Sequence, residues 1–479
     1  MNGPGLPLDT ALIIFLAGSF LLTSGQVPWG LKAAATLLLL LYLVVSHFGA
    51  TGEESEGGRR ARRVYRVKLG IVLGLVLCLA VAPTLSSILT RHTEGPETNA
   101  HDGVLQIEAA ISFLVDGQNP YAVTYEDTPL GAWRWGHPYP NPALYYLAYL
   151  PVMFLSGVPL WALSEAALGW YDQRFLYLLA YVVALWAWHR LARDRTSGLI
   201  ALAVVGLNPL TLPYLIEGRN DIVIVALLGL SLLALSRAES RWGLPLSGVF
   251  FGIACAAKQS IWFFGPFYLL YVWRSLRSSG GSGGQAARVA IRRWLLPGAF
   301  AAILFILPFF LWSPASFLED TVSYLSGNVE HNYPIKTRGA YGLHVLLASP
   351  GFAWLLDSLT SGPLEFLRPL AGTLKITSEL QPYPFWIFQT VFALPVVVLA
   401  LRKQLRGNTV ALALAGYALT LLVYQYFSRF LHDNYIGYIV TVWALAYLIR
   451  EPLEQPVSPR DVQPPLQSAH AQLSRETIP

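Results

Sequence analysis

The sequence predicts an all-α, polytopic transmembrane bundle of about twelve spans. Three observations lead there: the apolar residues fall in long blocks, the charge density is low, and basic residues cluster in alternate gaps between blocks. Ala33 to Val45, Leu69 to Leu89, Ile222 to Leu235 and Trp294 to Trp312 are such blocks. Several approach the roughly 20 apolar residues that cross a bilayer core. Only 13% of residues are charged, against about 25% in a soluble chain. Mean hydropathy is +0.48.

Taken in order, the blocks place spans near residues 8–25, 31–48, 68–90, 173–191, 197–216, 221–237, 243–258, 259–274, 294–312, 384–402, 408–427 and 434–450. Leu8 to Leu22 reads as a retained span, because no basic residue precedes Lys32 and the charged n-region of a signal peptide is lacking. Orientation follows from Lys and Arg. Arg59 to Lys68, Arg190 to Arg195, Arg237 with Arg241, Arg274 to Arg293, and Arg402 to Arg406 should all face the cytoplasm.

These clusters share one side only if Ala143 to Trp170 does not cross. That stretch holds Pro151, Gly157, Pro159 and Glu165 and is rich in Tyr and Trp, so it reads as one or two helices lying at the outer interface. The expected organisation is therefore two N-terminal helices and a basic loop over 1–67, a membrane core over 68–450, and a disordered tail over 451–479. The core carries outer regions 91–172 and 313–383, and both termini are cytoplasmic. Ser278 to Gln285 reads as a flexible cytoplasmic linker. The net charge of +5 comes from loop clusters beside spans, which argues against nucleic-acid binding. Cys78 and Cys255 sit in apolar blocks and support neither a disulfide framework nor a thiolate metal site.

Polar residues in so apolar a chain need a reason. The densest group is His101-Asp102, Gln106 and Glu108, followed by Asp116-Gly-Gln118-Asn119-Pro-Tyr121. Val104 to Val115 reads as an amphipathic helix, with Asp102 either its N-cap or part of a site. Glu217 to Asp221, including Asn220, is a polar hairpin turn or a second part of that site. Lys258 either snorkels to water or supplies a point charge to a phosphate. Glu330-His331 with Lys336 and Arg338, and Arg429 with His432, lie in later outer loops. Cations on the disfavoured side suggest an anionic ligand. The chain has no phosphate-binding Gly-x-x-x-x-Gly-Lys-Ser/Thr loop, no His-Glu-x-x-His pair and no Asp-x-Asp, so nucleotide-driven cytoplasmic chemistry is poorly supported.

Ala109-Ala110, Leu114, Gly117, Pro120-Tyr121, Tyr139-Pro-Asn-Pro142, Gly218-Arg-Asn220-Asp221, Gly248 to Lys258 and Ser428-Arg429 to Asn434-Tyr435 resemble, in order, the GT-C membrane glycosyltransferases. The nearest branch is the polyprenyl-phosphate-mannose-dependent mannosyltransferases and their relatives. The resemblance implies a GT-C fold in the cell membrane with interfacial helices in the first outer loop. It also implies an inverting transfer of mannose or a similar sugar from a polyprenyl-phosphate carrier to a glycan, glycolipid, lipid or protein acceptor on the extracytoplasmic face. Asp102 would be the general base. His101, Gln106, Glu108, Asn119, Tyr121, Asn220 and Asp221 would touch acceptor or sugar. Lys258, His331, Lys336, Arg338, Arg429 and His432 would hold the donor phosphate. No metal ligands are assigned; a divalent cofactor, Mg or Mn, stays open. A lipid or solute transporter would place charges or broken helices at mid-bilayer, and an O-antigen ligase or polymerase would carry its large loop late in the chain; neither pattern leads here.

Overall fold

The computed structural model describes residues 6–49, 58–278, 282–335, 340–362, 364–376, 378–429 and 431–453. Among them all the regular secondary structure is helical, without a strand. Lys336, Arg338 and the tail from 454 onward lie outside the described residues.

Each predicted apolar block is helical, but the boundaries move. Two helices extend well past their apolar cores on the amino side: Arg59–Glu94 and Gly283–Trp312. Their basic residues, expected in loops, occupy the first turns, where Arg and Ala are strong helix formers. The expected linker at Ser278 to Gln285 is correspondingly shorter. Gly265–Ser278 is helical to its last residue, and Ser282 caps the next helix by accepting the N–H of Gln285. The span expected at 197–216 is broken instead into Arg195–Gly206 and Leu212–Glu217. Asn208 and Pro209 lie between them, and a residue before proline is pushed out of helical geometry.

Among the described residues, four helices are long and apolar enough, by length and composition, to cross a membrane: Trp29–Gly49, Arg59–Glu94, Gly283–Trp312 and Phe385–Gly407. The apolar window of Phe385–Gly407 is only 11% buried, so its large outward side chains need a nonaqueous neighbour. Shorter apolar helices, among them Leu8–Thr23, Asp221–Leu235, Gly243–Cys255 and Val410–Tyr426, complete the body. In the first outer region, the stretch read as interfacial is only partly helical. A 3-10 turn, Pro142–Leu144, comes first, residues 145–151 are irregular, and Val152–Leu155 and Val158–Leu168 follow. Eleven residues in the latter cover about 16 Å, half a hydrocarbon core.

Two contacts fix the packing that matters for the site. Gly248 and Gly252 face Gly283–Trp312, where an added Cβ would stand 2.1 Å from the Trp294 carbonyl oxygen and 2.0 Å from that of Gly298. This close approach of backbones is the small-residue packing available to helices in lipid. The N-terminal pair Leu8–Thr23 and Trp29–Gly49 is tied to the core through buried Asp9, which accepts from Tyr42 at 2.6 Å and Lys68 at 2.8 Å. Polar side chains bonded within the bundle replace the contacts that lipid cannot supply.

Gly252→Ala should therefore lower the melting temperature of the detergent-solubilised protein, at a cost of about 1–3 kcal/mol from overpacking. Gly265→Ala, whose added Cβ would meet nothing nearer than 3.8 Å, should leave it unchanged. Equal melting of the two variants would contradict the packing.

Candidate functional site

Helix ends converge on one cavity of about 970 Å³. It lies at the ends of the helices away from the basic clusters. Arg59–Glu94 has its cluster Arg59 to Arg66 at the start and contributes Ser87 and Thr90 from its far end. Asp221–Leu235 contributes its first residue and runs toward Arg237. Gly243–Cys255 begins beside Arg241 and leads to Lys258.

One wall is the start of Asp102–Val115. His101 is extended and caps this helix, its Nδ1 accepting from Gly103 N at 3.1 Å, so the cap is His101 and Asp102 is the first helical residue. The Asp102 carboxylate lies 2.7 Å from the same Nδ1. The two contacts call for opposite proton positions on the ring: a lone pair for Gly103, a proton for Asp102. Burial raises the Asp102 pKa, but the His101 imidazole, the Gly103 N–H and the Arg219 charge outweigh it and hold the carboxyl at about 2. Asp102 is thus ionised at neutral pH.

The facing wall is the turn after Leu212–Glu217. Gly218 sits at φ +92°, and a Cβ there would lie 2.3 Å from Val104, so only glycine lets this turn press against the Asp102 helix. The turn delivers Arg219, Asn220 and Asp221. Lys258 pairs with Asp221 and donates to Asn220 Oδ1 at 3.2 Å. Asn434 links the pair to Arg219: its Nδ2 donates to Asp221 Oδ2 at 2.9 Å, and its Oδ1 accepts from Arg219 Nη1 at 2.7 Å. The Arg219 guanidinium lies 4.3 Å from the Tyr214 ring centroid. Trp133, Trp135, Tyr149 and Tyr333 supply aromatic lining. Gln26, at the tip of the N-terminal helix pair, also reaches the cavity and donates to Glu217 at 3.4 Å.

Of the residues singled out from sequence, His101, Asp102, Gln106, Asn220, Asp221, Lys258 and His432 line this cavity. Gln106 also has a holding role, donating to the carbonyls of Ala143 at 2.6 Å and Tyr146 at 2.9 Å. Glu108, Asn119, Tyr121, His331 and Arg429 are placed elsewhere. Glu108 takes both terminal nitrogens of Arg91, at 2.9 and 2.6 Å, in a buried network. Asn119 turns back to accept the N–H of Tyr121 at 3.1 Å. Tyr121 packs against Phe154, Phe309 and Phe317 and donates to the Tyr149 carbonyl at 2.7 Å. His331 stacks on Tyr145 at 3.9 Å. Arg429 is buried and spends its donors on the carbonyls of Tyr333, Gln381 and Glu379.

Arg219 was read from sequence only as one of the cations that suggest an anionic ligand, and Tyr149 and Asn434 were not among the site residues, although Asn434 stands inside a motif that was. Tyr149 gave only the signal of one aromatic residue in a run of them. Glu97, Asp102, Glu217, Asp221 and Asp433 line the cavity along with Arg219 and Lys258. Among the described residues no three His, Cys, Asp or Glu side chains are grouped to hold a metal ion. Asp221 and Asp102 are engaged by Lys258 and His101.

An all-helical body with outward apolar helices and a polar, charged cavity at one end is the frame of a membrane-embedded enzyme or carrier. Residues 114–275, roughly a third of the chain, match the alpha-(1->6)-mannopyranosyltransferase, N-terminal domain of the MptA/B family. The match supports a membrane mannosyltransferase. It includes Tyr149, Asn220, Asp221 and Lys258 and begins after Asp102. No curated protein and no solved structure matches the chain.

Glu108→Ala should lower stability by about 1.5–3 kcal/mol, because it leaves the buried Arg91 guanidinium with Asp172 alone in place of two charge partners. Thermal melting in detergent should show that loss, and an unchanged transition would return Glu108 to the list of substrate contacts.

Proposed function

We propose that this chain is a GT-C-type glycosyltransferase that moves mannose or a similar hexose from a polyprenyl-phosphate carrier to an acceptor hydroxyl at the extracytoplasmic face. The observation that carries this reading is the meeting, in one cavity, of an ionised carboxylate with two cations. Asp102 occupies one wall; Lys258 and Arg219 occupy the other. An inverting transfer needs that opposition. The acceptor oxygen forms a bond to the anomeric carbon, the bond from that carbon to the phosphate oxygen breaks, and the acceptor proton passes to the carboxylate. The departing polyprenyl phosphate gains charge as it leaves, and positioned cations stabilise that charge most in the transition state.

Each cation is held in place. Lys258 has Asp221 and Asn220; Arg219 has Asn434 and the face of Tyr214. Their charges are thus oriented before substrate arrives, which avoids reorganisation during the reaction. The family match supplies the sugar in this reading, since mannose is what its description states. Lys336 and Arg338 remain proposed donor contacts from the second outer region.

The membrane frame follows the same logic. The cavity opens at the end opposite the basic clusters, so the positive-inside rule puts it outside the cytoplasm. The full count of about twelve spans is part of this proposal, with the shorter apolar helices crossing together with the four long ones. The short helices at 152–168 then rest on the outer interface.

Asp102→Asn should abolish transfer from polyprenyl-phosphate mannose in proteoliposomes while leaving the melting transition in place; full activity in that variant would remove Asp102 as the base. The pH profile carries a second expectation. A depressed pKa means that the carboxylate form persists until the pH falls through about 2. Asp102 should therefore contribute no loss of kcat/KM across about pH 5 to 8.

Topology is tested separately at exposed Glu165. With Cys78 and Cys255 replaced by Ser, Glu165→Cys in intact cells should react with a membrane-impermeant maleimide. Labelling only after permeabilisation would invert the orientation.

A further inference from the structure

The stretch 143–149, which leaves a 3-10 turn at Leu144 and is irregular beyond it, is held by side chains from separate parts of the chain. Gln106 takes the carbonyls of Ala143 and Tyr146. Asp320 accepts the Leu147 N–H at 2.8 Å, Gln259 donates to the Ala148 carbonyl at 3.2 Å, and Tyr121 donates to the Tyr149 carbonyl. An irregular backbone gains no support from a helical ladder, so its groups must be satisfied this way. So much fixing of a nonhelical segment calls for a reason at its end.

Tyr149 is that end. Its hydroxyl lies against the first turn of Asp102–Val115: a Cβ on Gly103 would stand 2.5 Å from it. The residue lines the cavity and is half-buried. Its surroundings include Asp102, Asp221, Arg219 and Tyr435, so it stands between the carboxylate wall and the cation wall. The side chains on both walls are bonded to one another, yet the Tyr149 hydroxyl makes no hydrogen bond among the described residues. The hydroxyl is not sealed in the interior and is open to the cavity. Burial, with Asp102 nearby, drives its pKa upward and keeps the proton on the oxygen.

We propose that Tyr149 is a substrate-contacting residue, its hydroxyl donating a hydrogen bond to an oxygen of the transferred sugar between Asp102 and the cation pair. The inference rests on the glycosyltransferase reading above. It assigns Gln106, Tyr121, Gln259 and Asp320 as positioning residues that act through the backbone of 143–149. Gly103 has a matching role, since any side chain there would displace the hydroxyl.

The test is Tyr149→Phe in proteoliposomes with polyprenyl-phosphate mannose and a series of its monodeoxy sugar analogues. Loss of one neutral hydrogen bond should lower kcat/KM about tenfold. One deoxy donor should show a similar loss with wild type and no further loss with the variant. The melting temperature should not move, because the hydroxyl has no partner in the protein to lose. Wild-type kcat/KM in the variant, or equal sensitivity of both proteins to every deoxy donor, would overturn the role of Tyr149 while leaving the glycosyltransferase reading intact. A lowered melting temperature with unchanged kinetics would likewise make Tyr149 a packing residue. No transfer by wild type would instead overturn the parent reading, and this inference with it.

Discussion

The buried ion-pair network around Arg174 is the interaction on which the site depends. Asp172 binds Arg174 through Nε at 2.9 Å and Nη2 at 2.8 Å, and also takes Arg91 at 2.8 Å. Arg91 in turn pairs with Glu108. With its charge met, Arg174 directs Nη1 to Ser87, the Asn99 carbonyl and the Ile216 carbonyl, at 2.8, 2.8 and 3.0 Å. One guanidinium thus joins the end of Arg59–Glu94, the approach to Asp102 and the approach to Arg219. Two acids and two arginines in a buried setting are costly singly and tolerable together. The arrangement fixes the separation of the two cavity walls.

That network also explains where sequence reasoning went astray. The twelve apolar blocks announced their helices, because hydrophobic run length is a strong signal in a chain with so few charges. Their ends were less visible: arginines continue a helix past its apolar part, and Asn208-Pro209 interrupts a window whose average hydropathy stays high. For the site, polar density near Asp102 pointed to a region that borders the cavity and could not sort its residues. Glu108 and Asp102 stand six residues apart on one short helix, and only the third dimension shows that the first meets Arg91 and the second meets a cavity.

The later polar groups divided the same way. Lys258 and Asn220-Asp221 come together because Gly218 permits a close turn and because the helix after Gly243 stops short of the lysine. Arg429 looked like a free outer cation, yet it is buried and bonded to carbonyls of the second outer region. Its charge stabilises a loop that has few apolar contacts of its own, the small cluster of Ile335, Leu347, Tyr383 and Phe385. Tyr149 had no such sequence signal, since a tyrosine near a membrane interface has an adequate reason to be there without any chemistry.

Asn434 gives the site a history as well as a shape. It stands more than 200 residues after Arg219 and Asp221, yet it is the group that joins them. During synthesis the wall made by Arg219, Asp221 and Lys258 emerges long before the helix Asp433–Ala446. Until that helix packs in place, the arginine has no amide partner and the cavity lacks one side. This helix, the last among the described residues, therefore acts as a closing stave: it completes the pocket late, around parts that have waited for it since the middle.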